Sequence, residues 1–412
     1  MKRSKLFKPF LYQLLKPFSF WFLVLYIISD FLFYHNLNKL PYNFLSDTSG
    51  PARLPGDYAK KEVIPKDCFA LVSDSNVYEF GPWLYDNSCS MGQPNFATHH
   101  LLHQTLKQDV AAFGYPGFGN MGSALSAVAE HRYLNDSFLW SDFTFPKMLL
   151  FVFYEGNDLI NNLHEVEQRG FNLANPIDEK FDLEIKNLFK SEEQRLHAKY
   201  SILDQSPFWN LSSGIFQNYF GKLFKDRDNI SVMTPQNNQS NENDRAKKDS
   251  TKKSENIAFI NESNIELGYC EGPALHMTPT EINQSIRILH HSLVYLKNYF
   301  SESNIGVVYL PSSLSVYNFK DSSVRPAPLQ LNSTHRNKAF PPEFARDRNF
   351  MLRNKVAEVT TRLDLEFIDT TDYLNLEASR SLLHGPRDPI HFNRKGYETF
   401  SAAIVKHLNS KS

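Results

Sequence analysis

Cysteine is nearly absent: Cys68, Cys89 and Cys270 are the only three in 412 residues. So few exclude a disulfide scaffold and a cysteine-rich zinc module. An odd number allows at most one intramolecular bridge, and nothing in the spacing chooses its partners. A charge excess is missing too. Lys plus Arg is 44 against 45 for Asp plus Glu, which leaves no electrostatic case for nucleic acid. Only one long apolar run occurs, so a multi-span membrane protein is excluded. With 42% hydrophobic and 22% charged residues the chain is neither fully disordered nor collagen-like. Its length suits two or three domains at about 150 residues each.

The single run is Phe18 to Tyr34, FSFWFLVLYIISDFLFY, with one charge, Asp30, near its far end. As a helix it would be roughly 25 Å long, enough for a short bilayer span. Lys2, Arg3, Lys5, Lys8 and Lys16 precede it, whereas only Lys39 lies between Tyr34 and Pro51. The positive-inside rule keeps such an N-terminus in the cytoplasm and sends the rest across. No small-residue cleavage site follows the run, which argues against a cleaved signal peptide. The expected order is a basic tail at 1–17, an anchor at 18–34, a Pro-containing linker at 35–63, and a catalytic domain at 64–412 outside the cytoplasm.

Beyond the linker, apolar runs of strand length alternate with helical patterns. Phe69–Val72, Asp109–Phe113, Lys147–Phe153, Ile305–Leu310 and Leu365–Ile368 read as strands. Segments 96–107 and 123–131 read as helices, as does the chain from Gly396 onward. Ile282, Ile286, Leu289, Leu293, Leu296 and Phe300 form the stripe of an amphipathic helix. Strands separated by helices imply a parallel sheet covered on both faces. An insertion at about 165–275 interrupts the pattern. Within it, 225–258 reads as a disordered loop, because Pro235–Asn256 has no large apolar residue to offset the entropy of ordering.

Polar clusters follow three of the strands, where open parallel sheets bind ligands. They are Ser73-Asp74-Ser75-Asn76, the Gly-rich Gly114–Asn120, and Glu155-Gly156-Asn157-Asp158. A fourth, Asp388-Pro-Ile-His391, precedes the last helix. Together they offer a hydroxyl nucleophile, amide donors, and a His with a carboxylate three residues earlier, the parts that acyl transfer through serine requires.

Asp74-Ser75, Gly117, Gly156-Asn157-Asp158 and Asp388–His391, in that order, resemble the motifs of the SGNH hydrolases, the GDSL lipase/esterase superfamily. The resemblance covers roughly 65–165 and 280–410. It implies an α/β/α sandwich of three layers around a parallel five-stranded sheet. It implies Ser75 as nucleophile, His391 as general base and Asp388 as the group that orients the imidazole. The oxyanion hole would comprise the backbone N–H groups of Ser75 and Gly117 with the Asn157 side chain; Asp158 would hold the turn. Two departures stand out: Ser73 occupies the usual Gly position before Asp-Ser, and Gly81 comes six residues after Ser75. The implied reaction is hydrolysis of a carboxylic ester, an O-acyl group of an envelope glycan or a lipid ester, with no cofactor and no metal. An O-acyltransferase acting on a surface glycan and a non-catalytic glycan-binding or assembly protein are the alternatives.

Competing readings attach to three features. Gly117-Phe-Gly119-Asn-Met-Gly122 matches the dinucleotide fingerprint. The acidic residue expected about 20 positions later is missing, since the next strand ends near Glu155. His99 and His103 stand four apart but have no third metal ligand nearby, so a helix face is the plainer reading. His384 is the other histidine close to the expected triad, and the D-x-x-H spacing selects His391 over it.

Overall fold

The computed structural model describes residues 7–36, 61, 65, 67–78, 96–114, 117–136, 143–174, 177–197, 206, 208–209, 212, 256–267, 270–327, 338–385 and 388–411. Five strands form one parallel sheet: β1 Phe69–Ser73, β2 Val110–Gly114, β3 Met148–Tyr154, β6 Asn304–Leu310 and β7 Glu366–Asp369. Two hairpins, β4 Asn256–Ile260 with β5 Ser263–Leu267 and β8 His384–Gly385 with β9 Asp388–Phe392, lie outside it. The sheet order is β2-β1-β3-β6-β7, and every neighbouring pair is parallel. The chain therefore winds one way from β1 to β2 and the other way from β1 to β3. Open parallel sheets place their ligands beyond the carboxyl ends of the strands where that direction reverses, here β1 and β3.

Alternation along the strands makes the two covered faces. Val72, Phe113, Phe151 and Val307 pack on one side with the helices Asn120–Asp136, Asp158–Gln168 and Pro279–Tyr299. Leu71, Ala112, Leu150 and Val308 face the other side, against Thr98–Leu106, Thr371–Ala378 and Arg394–Asn409. This is the expected three-layer α/β/α arrangement. The Pro279–Tyr299 helix buries Ile282, Leu289, Leu293 and Leu296 from its predicted stripe. Its start is fixed locally: Thr278 and Glu281 form a reciprocal capping box and Pro279 occupies the first turn.

Two expected boundaries move. Residues 256–258, placed in the disordered loop, begin β4, whose Asn256 binds the Arg325 backbone in both directions at 2.8 Å. The rest of that loop, and the linker from 37 to 60, lie outside the described residues. The N-terminal helix runs from Phe7 to Asn36, beyond both ends of the apolar run. Among the described residues, no helix is long and apolar enough to cross a membrane. The side chains described in this helix begin at Phe20. Phe20, Trp21, Phe22, Leu23, Leu25, Ile27, Ile28, Phe31 and Leu32 are all exposed.

Candidate active site

Ser75 begins the short helical turn Ser75–Tyr78 immediately after β1. Asp74 builds that turn: its Oδ1 accepts from the backbone N–H of Asn76 at 2.9 Å and from Asn76 Nδ2 at 3.1 Å. The Ser73 hydroxyl, at the usual Gly position, makes a long bond of 3.4 Å to the same oxygen. Ser73 is thus absorbed as a donor to the turn. The neighbouring strand runs close to the Ser73 backbone. At Gly114, paired with Ser73, a Cβ would stand 2.8 Å from the Ser73 carbonyl oxygen.

His391 reaches Ser75 from the opposite end of the sequence. Its Nε2 lies 2.9 Å from Ser75 Oγ. That is the distance a general base needs to take the hydroxyl proton. His391 stands on β9, ahead of the helix Arg394–Asn409. Asn393 caps that helix, its Oδ1 accepting from Gly396 N–H at 3.0 Å. Asp388 lies on β9 three residues before His391, and its side chain is outside the described residues. His384 is held elsewhere. It is buried, and its Nδ1 lies 2.8 Å from the Tyr317 hydroxyl. The structure thus brings His391, and not His384, onto Ser75.

Gly117 and Asn157 follow β2 and β3, the two strands that flank β1. All three turns therefore occupy one edge of the sheet, with Ser75 in the middle. Gly117 is exposed, has φ of +77°, and has nothing within 4 Å of where a Cβ would be. Asn157 is the N-cap of the helix Asp158–Gln168, yet its side chain makes no capping bond. Its Oδ1 is buried without a partner among the described residues. An Asn at this position ordinarily spends its side chain on the helix N–H groups. Here the amide is left for something else.

Asp158 does hold the turn. Its Oδ2 accepts from Tyr154 N–H at 2.9 Å and Asn120 Nδ2 at 2.7 Å. Burial, and then the charge of nearby Asp74, push its carboxyl well above the usual range. Asn120 continues the network: Asn162 donates to its Oδ1 at 2.7 Å and accepts from its backbone N–H at 2.6 Å. The glycines of the dinucleotide-like motif serve this packing. A Cβ at Gly119 would lie 2.7 Å from the Asn162 backbone nitrogen, and one at Gly122 would lie 2.0 Å from Glu165 Oε1.

Two acidic residues have a place here that the sequence reading did not assign: Glu155, named there only as part of a polar cluster, and Glu271, not named at all. Glu155, at the end of β3, is fully buried and accepts from Ser312 N–H at 2.7 Å, Ser315 Oγ at 3.0 Å and Asn349 Nδ2 at 3.0 Å. Burial raises its pKa to about 7, against the pull of those donors. Its position directly after the most apolar strand was the available signal. Glu271, from the chain after β5, carries no such signal. With the Tyr154 ring it crowds Gly156, where a Cβ would lie 2.5 Å from Tyr154 Cζ and 2.6 Å from Glu271 Oε2. Burial, and then Glu271, push the Tyr154 phenol well above its ordinary value.

The remaining candidates have structural partners. His99 is buried with its ring centroid 4.3 Å from that of His100, and His103 Nδ1 lies 2.7 Å from the Gln108 carbonyl oxygen. Cys68 and Cys270 are buried thiols outside any disulfide, each pushed to about 12 by burial; Cys89 lies outside the described residues.

No family model matches the sequence, and no curated protein does. Solved structures align along most of the chain. An aryl esterase of M. smegmatis is 9% identical with a TM-score of 0.34, over 83% of this chain and 98% of that one. A carbohydrate acetylesterase family member from Sinorhizobium meliloti is 9% identical with a TM-score of 0.29, over 83% and 97%. A GDSL-like lipase from Bacteroides thetaiotaomicron is 10% identical with a TM-score of 0.27, over 84% and 89%. At such scores the likeness decides nothing about chemistry, which rests on the side chains themselves.

Proposed function

We propose that the protein is a serine esterase that hydrolyses carboxylic esters, attached to a membrane through the exposed apolar residues of its N-terminal helix. The observation that carries the reaction is the 2.9 Å approach of His391 Nε2 to Ser75 Oγ at the switch point of the sheet. His391 removes the hydroxyl proton as Ser75 Oγ attacks the ester carbonyl carbon. The oxyanion forms beside Gly117 and Asn157. When the intermediate collapses, His391 gives the proton to the departing alcohol oxygen. A water then repeats the sequence on the acyl-enzyme and releases the acid, restoring Ser75. Asp388 is the candidate for orienting the imidazole. Envelope glycan O-acyl groups and lipid esters are the substrate classes such a location offers.

Support for membrane attachment comes from nine large apolar side chains exposed along one helix, whereas most other exposed large apolar residues among the described ones are scattered.

The decisive experiment is labelling with a serine-directed fluorophosphonate, followed by mapping of the modified residue. Modification at Ser75, lost in Ser75→Ala, is the expected result. Undiminished labelling of Ser75→Ala would reject the assignment.

A further inference from the structure

Asp30, the single charge of the apolar run Phe18–Tyr34, has partners 176 and 178 residues away. Ser206 Oγ–H donates to Asp30 Oδ1 at 2.7 Å, and the Phe208 backbone N–H donates to the same oxygen at 3.0 Å. Trp209 N–H in turn donates to Ser206 Oγ at 3.0 Å. The Phe208 ring lies 5.8 Å from that of Tyr26 and 5.4 Å from that of Phe33, centroid to centroid. Tyr26, Asp30 and Phe33 are spaced four and three apart, so they form one stripe of the helix. They are partly shielded, whereas Leu25, Ile27, Phe31 and Leu32 around them are exposed. Trp209, beside Phe208, is also 44% exposed.

An aspartate in an apolar span is costly unless it is paired. Here its partners come from the insertion, and that segment brings aromatic rings with it. Tryptophan favours the boundary between acyl chains and headgroups, where its ring is buried and its N–H stays wet. We infer that the Ser206–Trp209 segment is a second membrane contact of the catalytic domain, seated on the anchor helix through Asp30, with Trp209 inserted among lipid acyl chains. This rests on the proposed membrane attachment of that helix. Two contacts, unlike one, fix how the domain faces the lipid surface, since a single flexible tether restrains distance but not orientation. The insertion therefore sets the approach of Ser75 to substrates carried by that surface.

The test uses the full chain in lipid nanodiscs whose acyl chains carry bromine, a contact quencher of indole fluorescence. One variant keeps only Trp209 (Trp21→Phe, Trp83→Phe, Trp140→Phe). Another keeps only Trp21 (Trp83→Phe, Trp140→Phe, Trp209→Phe). Circular dichroism melting confirms that each is folded. The expected result is loss of emission from both relative to unbrominated nanodiscs. Asp30→Leu in the Trp209-only chain should restore emission, and Asp30→Asn, which keeps an acceptor oxygen, should not. Quenching of Trp21 without quenching of Trp209 would overturn the inference and leave the anchor standing. Quenching of neither would overturn both. Quenching of Trp209 that is indifferent to Asp30→Leu would show that the segment reaches lipid without this seat, and would also reject the proposal.

Discussion

Asn157 is a place where a folding role and the proposed chemical role can be separated. It occupies an N-cap yet makes no capping bond, and its Oδ1 is buried without a partner among the described residues. Asn157→Ala should therefore melt close to the parent while its turnover falls about 100-fold or more, the usual loss on removing one oxyanion donor. Asn157→Asp is the sharper test. Aspartate would place a carboxylate where Oδ1 is buried without a partner among the described residues and beside the already raised Asp158, so this variant should melt lower than Asn157→Ala. A carboxylate beside a forming oxyanion should also stop turnover at least as effectively as alanine does. Equal activity of Asn157→Asp and the parent would remove Asn157 from the reaction. The Ser75 and His391 side chains act across a single 2.9 Å contact, so their losses should not add. Ser75→Ala, His391→Ala and the double variant should share one residual rate on an ester substrate. His384, tied to Tyr317, should tolerate loss of its ring far better in turnover than His391 does.

The contact between the helices Asn120–Asp136 and Asp158–Gln168 is made by glycines that resemble a cofactor motif. Gly119→Ala would press a methyl group to 2.7 Å from the Asn162 backbone nitrogen and 2.8 Å from the Asn161 carbonyl carbon. Backbone cannot step aside as a flexible side chain tip can. The variant should lose about 1–3 kcal/mol, the range for overpacking, read as a lower midpoint in denaturant melts. Unchanged stability would mean that the helices do not meet as described. This explains how far the sequence was legible. Strands such as Met148–Tyr154 announce themselves, because a run buried on both faces must be apolar at every position. The residues following those strands pointed to Ser75 and Asn157 and the D-x-x-H spacing pointed to His391, the histidine that lies 2.9 Å from Ser75 Oγ. The reason for Gly119 and Gly122 stayed hidden, because it lies in Asn162 and Glu165, about 43 residues away in sequence. Glu271 and the Asp30–Ser206 contact were invisible for the same reason: contacts between distant segments leave no local periodicity to read.

Across the whole molecule, near-neutral charge conceals two sets of carboxyls with opposite pH responses. Hydrogen bonds from Arg287, and then His291, hold Asp182 far below the usual range, against the effect of burial. Glu366 is also lowered: burial pushes it up, and bonds from Lys411 and His407 outweigh that. Groups lowered in the fold add stability above their unfolded pKa and lose it as pH falls through the folded value. The acid side of the stability curve is theirs. Glu155, Asp158 and Glu165 are raised, each chiefly by burial. A carboxyl raised in the fold contributes fully below its unfolded pKa, and that contribution is lost as pH rises through the folded value. For Glu155 the window runs from its ordinary value of 4.5 to about 7. At 1.36 kcal/mol per pKa unit the loss amounts to about 3 kcal/mol in order of magnitude, with no discount for solvent because the group is fully buried. The protein should accordingly be most stable on the mildly acidic side and should lose melting temperature from about pH 5 to pH 8. Glu155→Gln cannot ionise. One amide oxygen can still accept from the cluster, although its NH2 group meets donors where the carboxylate met partners. The variant should therefore melt lower than the parent at pH 5, and the gap should narrow or reverse at pH 8. Thermal melts of both proteins across that range decide it. Parallel curves would mean that Glu155 stays in one protonation state throughout, and the slope would then belong to Asp158 and Glu165 alone.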